Sequence, residues 1–102
     1  FKSFDMAAYA RKMFGMYGGK EEWVRIECDN SFAGVMIDRF GKDVSMIRLD
    51  DKRFVVNVEV AVSRQFLAWI IGLGEGVTLA GPDSVVEMMN AEIDRLIKQY
   101  KK

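Results

Sequence analysis

The chain has 102 residues, half of them hydrophobic, enough for one domain with its own core and too few for two. Its 15 basic and 15 acidic residues cancel, so no global field draws it toward nucleic acid or an anionic membrane, although a local patch stays open. There is no histidine, which removes the commonest general base and metal ligand, and one cysteine, Cys28, which excludes an internal disulfide and suits a reduced, cytoplasmic compartment.

No apolar run approaches the ~20 residues of a membrane span, and no signal peptide is visible. The chain begins at Phe1 and is expected to be a piece of a longer protein. Ser3 or Asp5 caps a first predicted helix, with Met6, Tyr9, Ala10 and Met13 on one stripe and Gly15, Gly18 and Gly19 ending it. In "EEWVRIECD", Val24, Ile26 and Cys28 alternate with Trp23, Arg25 and Glu27, the pattern of a strand with one buried face. "NSFAGVMIDRFG" changes to a helical period. Asn30 or Ser31 can cap it, Phe32, Val35, Met36 and Phe40 form its stripe, and Gly41 is its natural stop.

"DVSMIRLD" and "RFVVNVEVAV" read as two strands joined by a tight connection at Asp50, Asp51 and Lys52. In the second of these, Phe54, Val56, Val58 and Val60 share one face and Asn57 and Glu59 the other. "SRQFLAWIIGLG" is a helix capped by Ser63, with Phe66, Ile70 and Leu73 on its stripe and Leu67 and Trp69 widening it. "GVTLAG" is a short fourth strand. The last helix opens at Pro82, where a missing N–H costs nothing, with Asp83 and Glu87 near its positive end and Arg95, Lys98, Lys101 and Lys102 near its negative end. Val86, Met89, Ile93, Leu96 and Tyr100 make its apolar seam.

The order of elements predicts an α+β fold of the ferredoxin-like kind, βαββαβ, with both helices on one face of an antiparallel sheet. An extra N-terminal helix and a long C-terminal helix flank it. The glycine-rich stretch "WIIGLGEGVTLAGP" follows a helix and precedes a strand. A phosphate loop needs the opposite order, because helix N-terminal amides hold the anion. These glycines are therefore expected to stop a helix and turn the chain.

By alternation Trp23, Arg25, Asn57 and Glu59 project from the open face of the sheet. Arg48 joins them if its strand turns Val44 and Met46 the same way. An aromatic beside arginines can stack a base or clasp an acidic partner. The plainer alternative is a solvated face, with Trp23 covering a hydrophobic edge. Asp38 and Arg39 offer an anion clamp or a surface pair, Asp50 and Asp51 a metal site or a solvated turn, and Cys28 a redox thiol or a small buried hydrophobe; in each case the second reading is preferred. No nucleophile–base pair is present, so no enzyme and no cofactor are expected.

"FAGVMIDRFG" followed by "FVVNVEVAVSRQFLAWIIGLGEGVTLAGPDSV" and a helix ending in tyrosine resembles the C-terminal extension of WYL-domain bacterial transcriptional regulators, the WCX domain. The residues that carry the likeness are Phe66, Trp69, Gly72, Gly74, Val77, Pro82 and Tyr100. The resemblance implies a helical connection from an upstream WYL domain over residues 1–20 and a ferredoxin-like extension over 21–102. It further implies a cytoplasmic regulator in which the extension contributes to homodimer contacts and signal transmission. The WYL domain of the same chain would sense a nucleic-acid or nucleotide-like effector, and DNA would be met only through an N-terminal winged helix that this sequence lacks. An ACT-like sensor of amino acids or nucleotides shares the fold and is the alternative. It would want a glycine-containing loop after the first strand, where "DNSFAG" offers only Gly34. An RNA-recognition module would want exposed aromatics on the central strands, which alternation denies to Phe54.

Overall fold

A computed structural model describes residues 20–101, and the helix expected near the start of the chain lies outside them. Strand β1 (Lys20–Asp29) buries Val24, Ile26 and Cys28, as the alternation requires. A short 3-10 turn, Asn30–Phe32, leads into helix α1 (Ala33–Phe40). Neither Asn30 nor Ser31 caps that helix with its side chain; the Asn30 amide instead donates to the Asp51 carbonyl, 3.0 Å away. Gly41 ends α1 with φ 93°, a conformation that asks for glycine.

Strands β2 (Ser45–Arg48) and β3 (Arg53–Val62) follow as a hairpin. Helix α2 (Arg64–Gly72) is capped as expected, the Ser63 hydroxyl accepting the Phe66 N–H at 3.3 Å. Strand β4 (Val77–Gly81) and the long helix α3 (Asp83–Tyr100) complete the order. Pro82 stands at the N-cap of α3, one residue before the helix proper, its carbonyl accepting from Val85 and Val86 at 3.0 Å.

The described residues form a mixed α/β fold: one four-stranded antiparallel sheet in the order β2-β3-β1-β4 with three α-helices. β3 lies between β1 and β2 and runs antiparallel to both, so β1 and β2 point the same way. Val24, Ile26 and Cys28 of β1 sit opposite Val58, Val56 and Phe54 of β3. On that face Met36 and Phe40 of α1 and Phe66, Leu67 and Ile70 of α2 join the valines in a single buried cluster. Burying each of these side chains stabilises the fold by ~1.5–3 kcal/mol relative to exposure, which makes this layer the main source of stability.

α3 departs from the seam drawn on the sequence. Val85, not Val86, is its one fully buried residue, and Met89 packs against the cluster from its edge. Beyond Met89, Ile93, Ile97 and Tyr100 are exposed.

Candidate functional site

The register of β1 against β3 places Trp23 opposite Glu59 and Arg25 opposite Asn57, all on the face turned away from the buried cluster. These four predicted residues therefore do come together. Trp23 is 64% exposed, while Asn57 and Glu59 are half-buried.

Arg48 does not join them. It pairs with Phe54, a core-facing residue, so it leaves the sheet on the helix side. Met46, opposite Val56, packs on the core in the same way and fixes the phase of β2. The Arg48 guanidinium is held by the Asp51 carboxylate in the hairpin, far from any role on the open face. The residues of β2 that share the open face are Ser45, beside Asn57, and Ile47, beside Val55. The alternation of "SMIR" opposite Met46 was the signal for them.

Charge on the open face runs in an alternating row. Arg25 lies 3.8 Å from Glu27, Glu27 lies 3.8 Å from Arg53, and Arg53 lies 3.1 Å from Asp50. Half-exposed pairs of this kind contribute ~0–1 kcal/mol each, so they order the face more than they stabilise it. Beside Trp23 opens a hollow of about 230 Å³, walled by Phe40, Val44 and Val58 and rimmed by Asp43, Ser45, Asn57 and Glu59. It exists because β2 begins only at Ser45, so no strand flanks β3 at Glu59 on that side.

At the far end of β1 the backbone is tied down twice, Asp29 N–H to the Gly76 carbonyl at 2.8 Å and Asn30 N–H to the Lys52 carbonyl at 2.9 Å. The Asp50 carboxylate accepts the N–H groups of Lys52 and Arg53 at 2.8 and 2.9 Å. Those amides, Lys52 first, and the Arg53 guanidinium hold its carboxyl below the usual range. Asp50 thus spends its oxygens on the turn. Among the described residues no group of three or more His, Cys, Asp or Glu is arranged to hold a metal ion.

The glycine-rich stretch is a turn. Gly74 has φ 89°, the Gly74 N–H returns to the Ile71 carbonyl, and Gly76 passes so close to Phe32 that a Cβ there would lie 2.5 Å from the ring. Trp69 serves packing. Phe40 meets its ring edge-on at 5.6 Å, Phe66 lies tilted at 6.3 Å, and the Arg39 guanidinium covers it at 5.0 Å. Arg39 is accordingly spent on Trp69, and the Asp38–Arg39 clamp does not form part of the site. Cys28 is fully buried, and burial, reinforced by the Asp29 charge, pushes its thiol up to about 11.

A second surface escaped the sequence reading. Ile71 of α2 and Ile93, Leu96, Ile97 and Tyr100 of α3 line a shallow apolar groove. Ile93, Leu96 and Tyr100 read on the sequence as part of the packed seam, and Ile71 and Ile97 lie off both helix stripes, so no periodicity joins the five across two helices. Among the described residues no helix is long and apolar enough to cross a membrane.

No curated protein matches the chain. The family model of the WCX domain matches residues 20–97, from the first residue of β1 to the last turns of α3. A match spanning well over half of the chain, and with it the whole sheet, assigns the chain to a family: it belongs to the WCX domain family.

Proposed function

We propose that this chain is the C-terminal regulatory module of a WYL-family transcriptional regulator. In this reading it pairs with a second copy and passes the state of an effector to a winged-helix DNA-binding domain elsewhere in the cytoplasmic parent protein. It has no catalysis of its own and meets DNA only through that other domain. The observation that carries the reading is the WCX match over residues 20–97. The position of β3 between β1 and β2 supports the ferredoxin-like βαββαβ arrangement expected of it. The apolar groove of Ile71, Ile93, Leu96, Ile97 and Tyr100 supports the pairing, since contiguous exposed apolar surface of this kind marks interaction sites. The open sheet face, with Trp23, Arg25, Asn57 and Glu59, is left for a further partner such as the WYL domain.

Sedimentation equilibrium of the chain tests the pairing. The expected result is a dimer that Ile97→Glu converts to a monomer with an unchanged folded circular dichroism spectrum, its melting temperature no longer rising with concentration. A strict monomer at high concentration removes the pairing from the proposal. A thermal-shift series with amino acids and nucleotides tests the rest: stabilisation by a free amino acid moves the assignment to an ACT-like sensor.

A further inference from the structure

The second half of α3 carries an uncovered seam. Met89, Ile93, Leu96 and Tyr100 follow at spacings of four, three and four, the rhythm of helices that pack lengthwise on one another. Met89 is taken up by the buried cluster. Ile93, Ile97 and Tyr100 are 41%, 51% and 73% exposed, and with Leu96 and Ile71 they line the shallow groove.

A row of charges borders this seam and changes sign along it. Glu87, Asp94, Lys98 and Lys101 fall at spacings of seven, four and three, one stripe beside the apolar one, and Lys101 lines the groove itself. All four are exposed, and among the described residues none of them is in an ion pair. On the other flank of the helix the charges are already matched, Glu92 holding both Arg95 and Arg64. The helix dipole accounts for lysines at the C-terminal end. It acts only over the terminal turns and does not account for Asp94, which lies well inside α3.

This surface therefore asks for a partner with a matching apolar stripe, basic groups beside Glu87 and Asp94, and acidic groups beside Lys98 and Lys101. A second α3 running the opposite way has all three. A parallel copy would set acid on acid and lysine on lysine, and would align the two dipoles. The patch is thus its own complement, as a two-fold interface requires.

We propose that α3 pairs antiparallel with α3 of a second copy, Ile93 of each facing Ile97 of the other, with Glu87 and Asp94 of each set against Lys98 and Lys101 of the other. The proposal rests on the pairing put forward above and names its direction and the charges that select it.

Sedimentation equilibrium and disulfide crosslinking test it. Glu87→Lys with Asp94→Lys makes the charged stripe wholly basic and should raise the dimer dissociation constant on the order of tenfold. Adding Lys98→Glu and Lys101→Glu to that variant should restore it. For crosslinking, Asn90→Cys and Lys101→Cys place a thiol at exposed positions on either side of the expected two-fold axis. Under mild oxidation the two variants should crosslink when mixed and neither should crosslink alone; Cys28, fully buried, stays out of the reaction. A dimer that yields no disulfide in the mixture, that crosslinks with either variant alone, or whose dissociation constant ignores the charge reversal overturns the antiparallel arrangement and leaves the pairing standing. A strict monomer overturns both and leaves the groove to another occupant. Should the charge variants lose their folded circular dichroism spectrum, the crosslinking pair decides by itself.

Discussion

Cys28 shows how little a side chain needs in order to change character. It occupies one position in the alternation of β1, opposite Phe54, and is wholly screened from water. A buried thiolate is unfavourable, so the thiol keeps its proton up to about 11. Thiol reagents below pH 9.0 should therefore leave the folded chain unlabelled and label it only when denatured, a contrast read directly from the rate of colour release. Linkage adds a second consequence. The unfolded chain gives up this proton near 9.0 and the folded chain near 11, so Cys28 contributes stability below 9.0 that is lost as pH rises through that window. Urea midpoints of the wild type should fall across it more steeply than those of Cys28→Ala. Two glycines make a sharper comparison. A Cβ at Gly76 would meet Phe32 at 2.5 Å and Asp29 at 3.0 Å, whereas Gly34, inside α1, has open space around it. Gly76→Ala should cost ~1–3 kcal/mol through overpacking. Gly34→Ala should gain ~0.5–1 kcal/mol of helix stability. Equilibrium urea unfolding of both variants checks the opposite signs.

At the scale of elements, local chemistry explains where most of them start and stop. The hairpin between β2 and β3 turns at Asp50 because one carboxylate satisfies two backbone N–H groups and an arginine together. α2 begins at a serine cap, and Ser63→Ala should cost ~1 kcal/mol in the same unfolding experiment. α3 is joined to the start of α2 by Glu92, which accepts from Arg95 and from Arg64 at 2.8 and 3.2 Å. The Arg95 hydrogen bond, then the charges of both arginines, lower the Glu92 carboxyl from its ordinary value, and Asp50 is lowered likewise. Groups shifted in that direction stabilise the fold above the ordinary carboxylate range and lose that contribution as pH falls through the lowered value. Thermal melts in decreasing pH should show the loss, and Asp50→Asn combined with Glu92→Gln should flatten it. Two elements did not follow from local chemistry. The side-chain cap expected for α1 is replaced by a 3-10 turn, because Asn30 finds a better partner across the chain in the Asp51 carbonyl. The expected seam of α3 runs through Val86, but Val85 is the residue that the helix buries.

For the whole molecule, one apolar layer carries the fold and the surfaces outside it are free for other work. Phe66→Ala, in the middle of that layer, should cost ~3–5 kcal/mol, while Ile97→Glu, at an exposed position near the end of α3, should change the stability of the monomer by less than ~0.5 kcal/mol and yet abolish self-association. Calorimetry and sedimentation on the same two variants check this separation. The sequence by itself determined the alternation of β1 and β3, the capped start of α2 and the turning role of the glycines. Each of these follows from side-chain periodicity or from the φ demands of neighbouring residues, which are local properties. The order of strands in the sheet, the turning of Arg48 to the helix side, the hollow beside Trp23 and the exposed groove on α3 were decided only in three dimensions. All four depend on where one element ends beside another, such as β2 starting at Ser45 opposite Asn57, and no local rhythm encodes that distance-spanning alignment.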